Sequence, residues 1–423
     1  MNTVARRANF TTLPASRVAT VMTWCILVSL LILGFNRGNA FAYPALLLAL
    51  AGLLVRPWRA TYAGLFAEGW LWMLPAAFGL VMLSAFATAR IPYELLDWVY
   101  FLPLLLAVPA AAVFARTRIQ RPVLAFAALA LGGTIMAMAV CVYRVARLGF
   151  GRIAPLQISP IHFADLVVIV GFMALAGLMA AKSRWRWLFL LGPVLGLVCG
   201  GLSGTRAVVV VAAPLLLLAA IYLVRTGALR LRVLVGVVLG LIAAAVLLVL
   251  LGLAAGETRS LEAFGILSEI VSGKTLSDQS VAFRFDQYQA ALKVIGDWHL
   301  FGVGRRHQFE YVLPYMSAAG QAQYAVEHWG YVHNDGLFLT VIAGLPGLAA
   351  YLLLMGYPLV ALWRAPRDAL AEPRAYLVLT FTIGFIISGM SDATFSTELP
   401  KTMFCMLPAA IVILCREPRE IAQ

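Results

Sequence analysis

Charge is what this 423-residue chain has least of: only 12% of its residues are Asp, Glu, Lys or Arg, against about 25% in an ordinary globular protein. Hydrophobic residues make up 62%, and a soluble fold has no interior large enough to hide that much apolar surface. Soluble enzymes, secreted disulfide scaffolds and disordered tails are excluded. The five cysteines, Cys25, Cys141, Cys199, Cys405 and Cys415, are scattered without a Cys-x-x-Cys pair, so neither a disulfide framework nor a zinc site is indicated. The sequence lacks a Gly-x-x-x-x-Gly-Lys-Ser/Thr nucleotide loop, a His-Glu-x-x-His pair and any Asp-x-Asp among its eight aspartates, so ATP-driven and metal-based chemistry lose their usual supports. His299, His307, His328 and His333 fall close together, but their spacings of eight, twenty-one and five match no compact ligand pattern.

What the chain does have is apolar runs of membrane length. In lipid every backbone N–H and C=O must be satisfied within its own segment, so such runs form spanning helices. Apolar windows with charged flanks predict spans near 18–35, 40–55, 69–88, 98–115, 123–143, 162–181, 187–203, 207–224, 231–254, 334–363, 375–391 and 400–415. The fold class is therefore an all-α polytopic integral membrane protein with about twelve transmembrane helices. Its one membrane domain divides into a nine-span region (1–255), a mixed polar loop (256–332) and a three-span region (333–423). A connection as long as that loop is normally functional. Within it Val281, Phe285, Tyr288, Leu292 and Ile295 recur at three- and four-residue steps, which predicts an amphipathic helix against the membrane surface or the bundle.

The formal charge of +13 invites a nucleic-acid reading until its distribution is followed. With the N-terminus inside, 19 of the 32 basic residues fall on cytoplasmic segments with five of the 19 acidic ones, a net +14 there and −1 outside. Basic residues are retained on the cytoplasmic side, so the basicity reports topology and requires no nucleic acid. Both termini are then cytoplasmic and 256–332 is periplasmic. Arg6, Arg7 and Arg17 before an apolar stretch, with Ala40-Phe41-Ala42 after it, also resemble a cleaved signal. The stretch exceeds a usual signal core, and its removal would disturb the charge pattern, so a retained span is expected.

Arginine on the outer face is what topology alone disfavours. Arg206 ends Ser203-Gly204-Thr205-Arg206, a short hairpin between two apolar spans. A snorkelling helix anchor and a bidentate phosphate ligand both fit it. Arg284, near the start of the loop helix, reads alone as a solvated charge, and Arg144, Arg147, Arg152, Arg305 and Arg306 are further outer-face candidates. His333-Asn334 is followed by nine residues and then Gly344-Leu345-Pro346-Gly347. The apolar run 334–363 is too long for one straight span of about twenty residues, and its Gly and Pro residues predict a kink. His333 lies about 16 Å from that kink at 1.5 Å per residue. An interfacial histidine beside a capping Asn334 is common, but histidine is also the usual proton carrier near neutral pH.

These residues resemble the O-antigen ligases, in the superfamily shared with O-antigen polymerases and bacterial O-oligosaccharyltransferases. The likeness covers the chain in topology. His333, Asn334, Gly344 and Gly347 meet the motif His-Asn/Ser/Gln-x9-Gly-x-x-Gly, Arg206 follows the Ser/Thr-rich turn, and Arg284 precedes Phe301-Gly302-Val303-Gly304. The resemblance implies transfer of a glycan from undecaprenyl pyrophosphate to a sugar hydroxyl of the lipid A core, at the periplasmic face of a Gram-negative inner membrane. It implies His333 as general base, Arg206 and Arg284 on the pyrophosphate, and no metal, nucleotide or other cofactor. The chemistry suits the residues: a leaving pyrophosphate needs fixed positive charge, and the activated donor supplies the driving force. An O-antigen polymerase would join the same donors to each other, and the ligase-type histidine motif argues against it. A protein O-oligosaccharyltransferase is expected to extend further beyond its last spans. A lipid-linked glycan transporter would place ionisable residues at mid-membrane, whereas the spans here are nearly free of charge apart from His162 and Asp165 near a span end.

Overall fold

The computed structural model describes residues 15–54, 58–149, 153–230, 278–327 and 330–417, with 232, 235, 236, 239 and 272 as isolated positions. Most of the expected 231–254 span, most of 256–277, Arg152 and His328 lie outside the described residues. The main helices, in chain order, are α1 (Arg17–Val28), α2 (Ala42–Ala51), α3 (Trp58–Phe66), α4 (Met73–Thr88), α5 (Leu102–Ala115), α6 (Pro122–Leu148) and α7 (Pro160–Ala174). They continue with α8 (Leu191–Leu202), α9 (Ala207–Arg225), α10 (Gln279–Gly296), α11 (Ala318–Glu327), α12 (Asp335–Arg364), α13 (Ala371–Ser391) and α14 (Glu398–Leu414). No strand occurs among the described residues.

Eight helical stretches are long and apolar enough to cross a membrane. The first, Arg17–Leu54, takes in two of the expected spans, which part where Gly38 leaves helical geometry at φ 56°. α4 and α14, at 16 and 17 residues, are shorter than the roughly twenty a straight span needs. Among the described residues eight stretches rather than twelve therefore meet both criteria.

Two helices form the centre. α7 buries every residue from Ile161 to Ala174, and α14 every residue from Leu399 to Leu414. A helix that is apolar all round belongs inside a bundle. α7 packs on α6, α8, α9 and α13, and α14 packs on α5, α12 and α13. Tyr376 of α13 donates to the Phe172 carbonyl of α7 at 2.6 Å. Charge is sorted to two ends. Arg225–Glu372, Arg374–Asp368 and Arg416–Glu68 join residues that the charge pattern puts on one side. Arg90–Glu310, Arg206–Asp278, Arg306–Asp97 and His333–Asp392 join residues it puts on the other.

α12 bends at Gly344, whose φ of 61° and ψ of −145° are not helical. The freed backbone groups can be followed one by one. The Leu345 N–H turns from the Val341 carbonyl to that of Leu300 at 2.9 Å. Pro346 has no N–H for Ile342, so the carbonyls of Val341 and Ile342 accept instead from the N–H groups of Val303 and Gly304, at 3.0 and 3.1 Å. The Ser84 hydroxyl takes the Ala343 carbonyl at 2.7 Å. Each of these displaced groups thus finds a new partner outside the helix. Phe301-Gly302-Val303-Gly304 is stitched into it, and a side chain on Gly344 would run into the Leu300 carbonyl.

The expected loop helix forms as α10, but with a different face inward. It buries Phe283, Gln287, Ala290, Ala291 and Val294, while Phe285 and Leu292 of the expected stripe are exposed. α10 packs on α12 with the small Ala290 and Ala291 buried and Tyr288 and Ile295 of the stripe half-buried against the core, leaving Phe285 and Leu292 outside.

Candidate active site

The site gathers where α12 begins and α13 ends. Asn334 caps α12: its side-chain oxygen accepts from the Leu337 N–H at 3.0 Å, while its amide nitrogen donates to the Met390 carbonyl at 3.1 Å. One side chain therefore starts α12 and ties it to the last turn of α13. His333, just before that cap, is buried, and its Nδ1 lies 2.7 Å from Oδ1 of Asp392, the residue that ends α13. The Ala393 N–H donates to the same Oδ1 at 2.8 Å. From α10 the Tyr288 hydroxyl donates to the His333 carbonyl at 2.5 Å, and Gln287 Oε1 faces the His333 N–H at 3.4 Å. The Tyr331 ring stands edge-on to the imidazole at 5.1 Å.

Asp392 is an anion here. Burial works against its charge, but His162, His333 and Arg284 outweigh burial and hold the carboxyl well below the usual carboxylate range. A carboxylate can only accept, so Nδ1 of His333 carries the proton and the lone pair of the neutral ring is on Nε2. That is the arrangement of an oriented general base, with a buried carboxylate fixing the tautomer.

Arg284 is half-buried on α10, one turn before Tyr288, and makes no hydrogen bond or ion pair with a described residue. It lies within electrostatic reach of Asp392 and Tyr288. Burial pushes the Tyr288 phenol up to about 12, with Arg284 pulling the other way, so the phenol stays a donor. Arg206 follows the turn at Gly204, whose φ is 65°. Its Nη1 is 2.5 Å from Oδ2 of Asp278, and Asp278 caps α10 by accepting from the Val281 N–H at 2.9 Å. Burial raises the Asp278 carboxyl, but the Arg206 guanidinium and the capping N–H groups bring it below its ordinary value. Arg206 therefore fastens the end of the helix that carries Arg284, about 9 Å further along its axis.

The structure thus brings His333, Asn334 and Arg284 together, joins Arg206 to them through Asp278, and puts Gly344 and Gly347 at the bend of α12. Other outer-face candidates are engaged elsewhere. Arg306 pairs with Asp97 and Tyr93, Arg305 lies over the Tyr100 ring at 4.2 Å, and His307 sits between Glu94 and Glu310. His299 packs on Tyr311. No three His, Cys, Asp or Glu side chains among the described residues are grouped as metal ligands. Sequence reasoning missed Asp392, Gln287 and Tyr288. One signal for Asp392 was available: it is the only acidic residue between Glu372 and Glu398, at the end of an apolar run.

Comparison with known families reaches this same region. Residues 194–352 match the family described as O-antigen ligase. The matched stretch is what this chain shares with that family. It spans less than half of the chain and holds Arg206, Arg284, His333, Asn334, Gly344 and Gly347. Asp392 lies beyond it and His162 before it. No curated protein matches the chain.

Proposed function

We propose that the chain is an O-antigen ligase: a metal-independent, inverting glycosyltransferase that moves a glycan from undecaprenyl pyrophosphate to a sugar hydroxyl of the lipid A core. The observation that carries this reading is the buried His333–Asp392 pair beside a half-buried Arg284, with both His333 and Arg284 inside the stretch that is similar to the O-antigen ligase family. His333 Nε2 takes the proton of the acceptor hydroxyl as its oxygen attacks C1 of the donor sugar. The C1–O bond to phosphate breaks, and its electron pair leaves with the pyrophosphate. Arg284 meets the charge on that leaving group. The Arg206 fork meets it from the start of α10, with Asp278 orienting the guanidinium before donor arrives. Attack from the acceptor itself, with no enzyme nucleophile, inverts the anomeric centre. The net-positive end is cytoplasmic and the site end periplasmic, where lipid-linked glycan and lipid A core meet in a Gram-negative inner membrane.

The test is turnover by His333→Ala with saturating donor and acceptor. Loss of a positioned base typically costs about 10²–10⁴-fold, and that loss is expected with the fold intact. Near-normal turnover, or a product of retained configuration, contradicts the reading.

A further inference from the structure

Asp392 has a second face, and a second histidine fills it. His162, in the first turn of α7, is buried with Nε2 3.6 Å from Asp392 Oδ2, and Thr397 Oγ1 lies 3.3 Å from its Nδ1. Nε2 of His162 has no hydrogen-bond partner among the described residues and faces Asp392 Oδ2 and the backbone of Ala393. The two oxygens of Asp392 are thereby divided: Oδ1 serves His333 and the Ala393 N–H, and Oδ2 faces His162. The Ser159 hydroxyl caps α7 by accepting from the His162 N–H at 3.1 Å, which fixes the first turn of a wholly buried helix.

We propose that His162 is a positioning residue for the transfer: it holds Oδ2 of Asp392, and so keeps Oδ1 in line with Nδ1 of His333. The inference rests on the proposed role of His333 and deepens it. A carboxylate held at one oxygen only can turn about its last side-chain torsion, and a buried charge without its partners is costly. His162 supplies both a wall and a compensating dipole or charge. The groups facing it are Asp392, His333, Arg284, Thr397 and the backbone of Ala393, with Asp165 one turn along its own helix. Residues one step behind a reacting group typically contribute about 10–100-fold. Without His162 the carboxylate can turn, and Oδ1 leaves the line to Nδ1 of His333.

The experiment compares the purified full-length protein with His162→Leu, His162→Gln and His333→Ala, using undecaprenyl-pyrophosphate glycan as donor and O-antigen-free lipopolysaccharide as acceptor. We expect His162→Leu to lower kcat about 10–100-fold with little change in donor KM. Glutamine can donate to Oδ2 from nearly the same place, so His162→Gln should recover most of kcat. Should the leucine variant fail to fold, the glutamine variant still tests the idea: it must keep a kcat close to wild type. An unchanged kcat in the folded leucine variant, with His333→Ala inactive, overturns the inference alone. A glutamine variant as inactive as the leucine one overturns it too, because an amide donor then does not suffice. Normal turnover by His333→Ala removes the base and this inference together.

Discussion

At the scale of single residues, the site depends on a pair that only one half of the sequence made visible. His333 was legible because its spacing to Gly344 and Gly347 is a pattern. Asp392 was not, because its partner is 59 positions away and a lone aspartate after an apolar run reads as a span boundary. The pair makes a sharp prediction. Asp392→Asn keeps the shape but presents no carboxylate to Nδ1–H, so kcat should fall by about 10²–10⁴-fold, as when a buried carboxylate no longer fixes the tautomer of a histidine base. Steady-state kinetics on folded protein check this, and a loss under tenfold would show that His333 does not need the anion. The arginines separate in the same assay. Arg284→Lys retains charge without the planar fork and should lose most activity with an unchanged thermal midpoint. Arg206→Lys should lose activity and also loosen the Asp278 end of α10, seen as faster amide exchange there. Near-normal transfer by either variant would reduce that arginine to a structural anchor.

Elements were read better than faces. The composition predicted helices throughout, and the described residues are helical. The run 334–363 called for a break near Gly344, and α12 leaves helical geometry there. What periodicity could not supply was the partner of that break, since the accepting Leu300 carbonyl and the donating Val303 and Gly304 belong to a loop distant in sequence. The face of α10 was misread for a related reason. A stripe of large apolar residues looks buried by pattern alone, but Phe285 and Leu292 are exposed, while Ala290, Ala291 and Gln287 are buried and Gln287 faces the His333 backbone. Gly344 gives the prediction at this scale. Its φ and ψ suit glycine only, a strain of about 1–3 kcal/mol for another residue, and a methyl group would also strike the Leu300 carbonyl. Gly344→Ala should therefore lower the thermal midpoint in detergent and cut activity by displacing Leu300–Gly304. A variant as stable and active as wild type would mean that the bend does not position the site.

For the whole molecule, the charge partition and the contacts agree in one respect: the named ion pairs link residues within one assigned side, never across. The sequence could assign sides because lysine and arginine retention acts on local composition, which needs no knowledge of packing. It could not say which helices lie at the centre, because all are apolar and only packing singles out α7 and α14. An Ala319→Cys substitution in the exposed part of α11 should react with an impermeant maleimide from the periplasm. Labelling only from the cytoplasm would invert the topology and displace the site from its substrates. The central claim is catalytic, and one measurement meets it most directly. Purified protein in EDTA is given undecaprenyl-pyrophosphate glycan with O-antigen-free lipopolysaccharide, a pilin-like protein or no acceptor, and the anomeric configuration of the product is determined. Glycan on the lipid A core, of inverted configuration, is the predicted result. Transfer only to protein, lengthening of the donor chain without an acceptor, or no transfer until a metal is restored would contradict it.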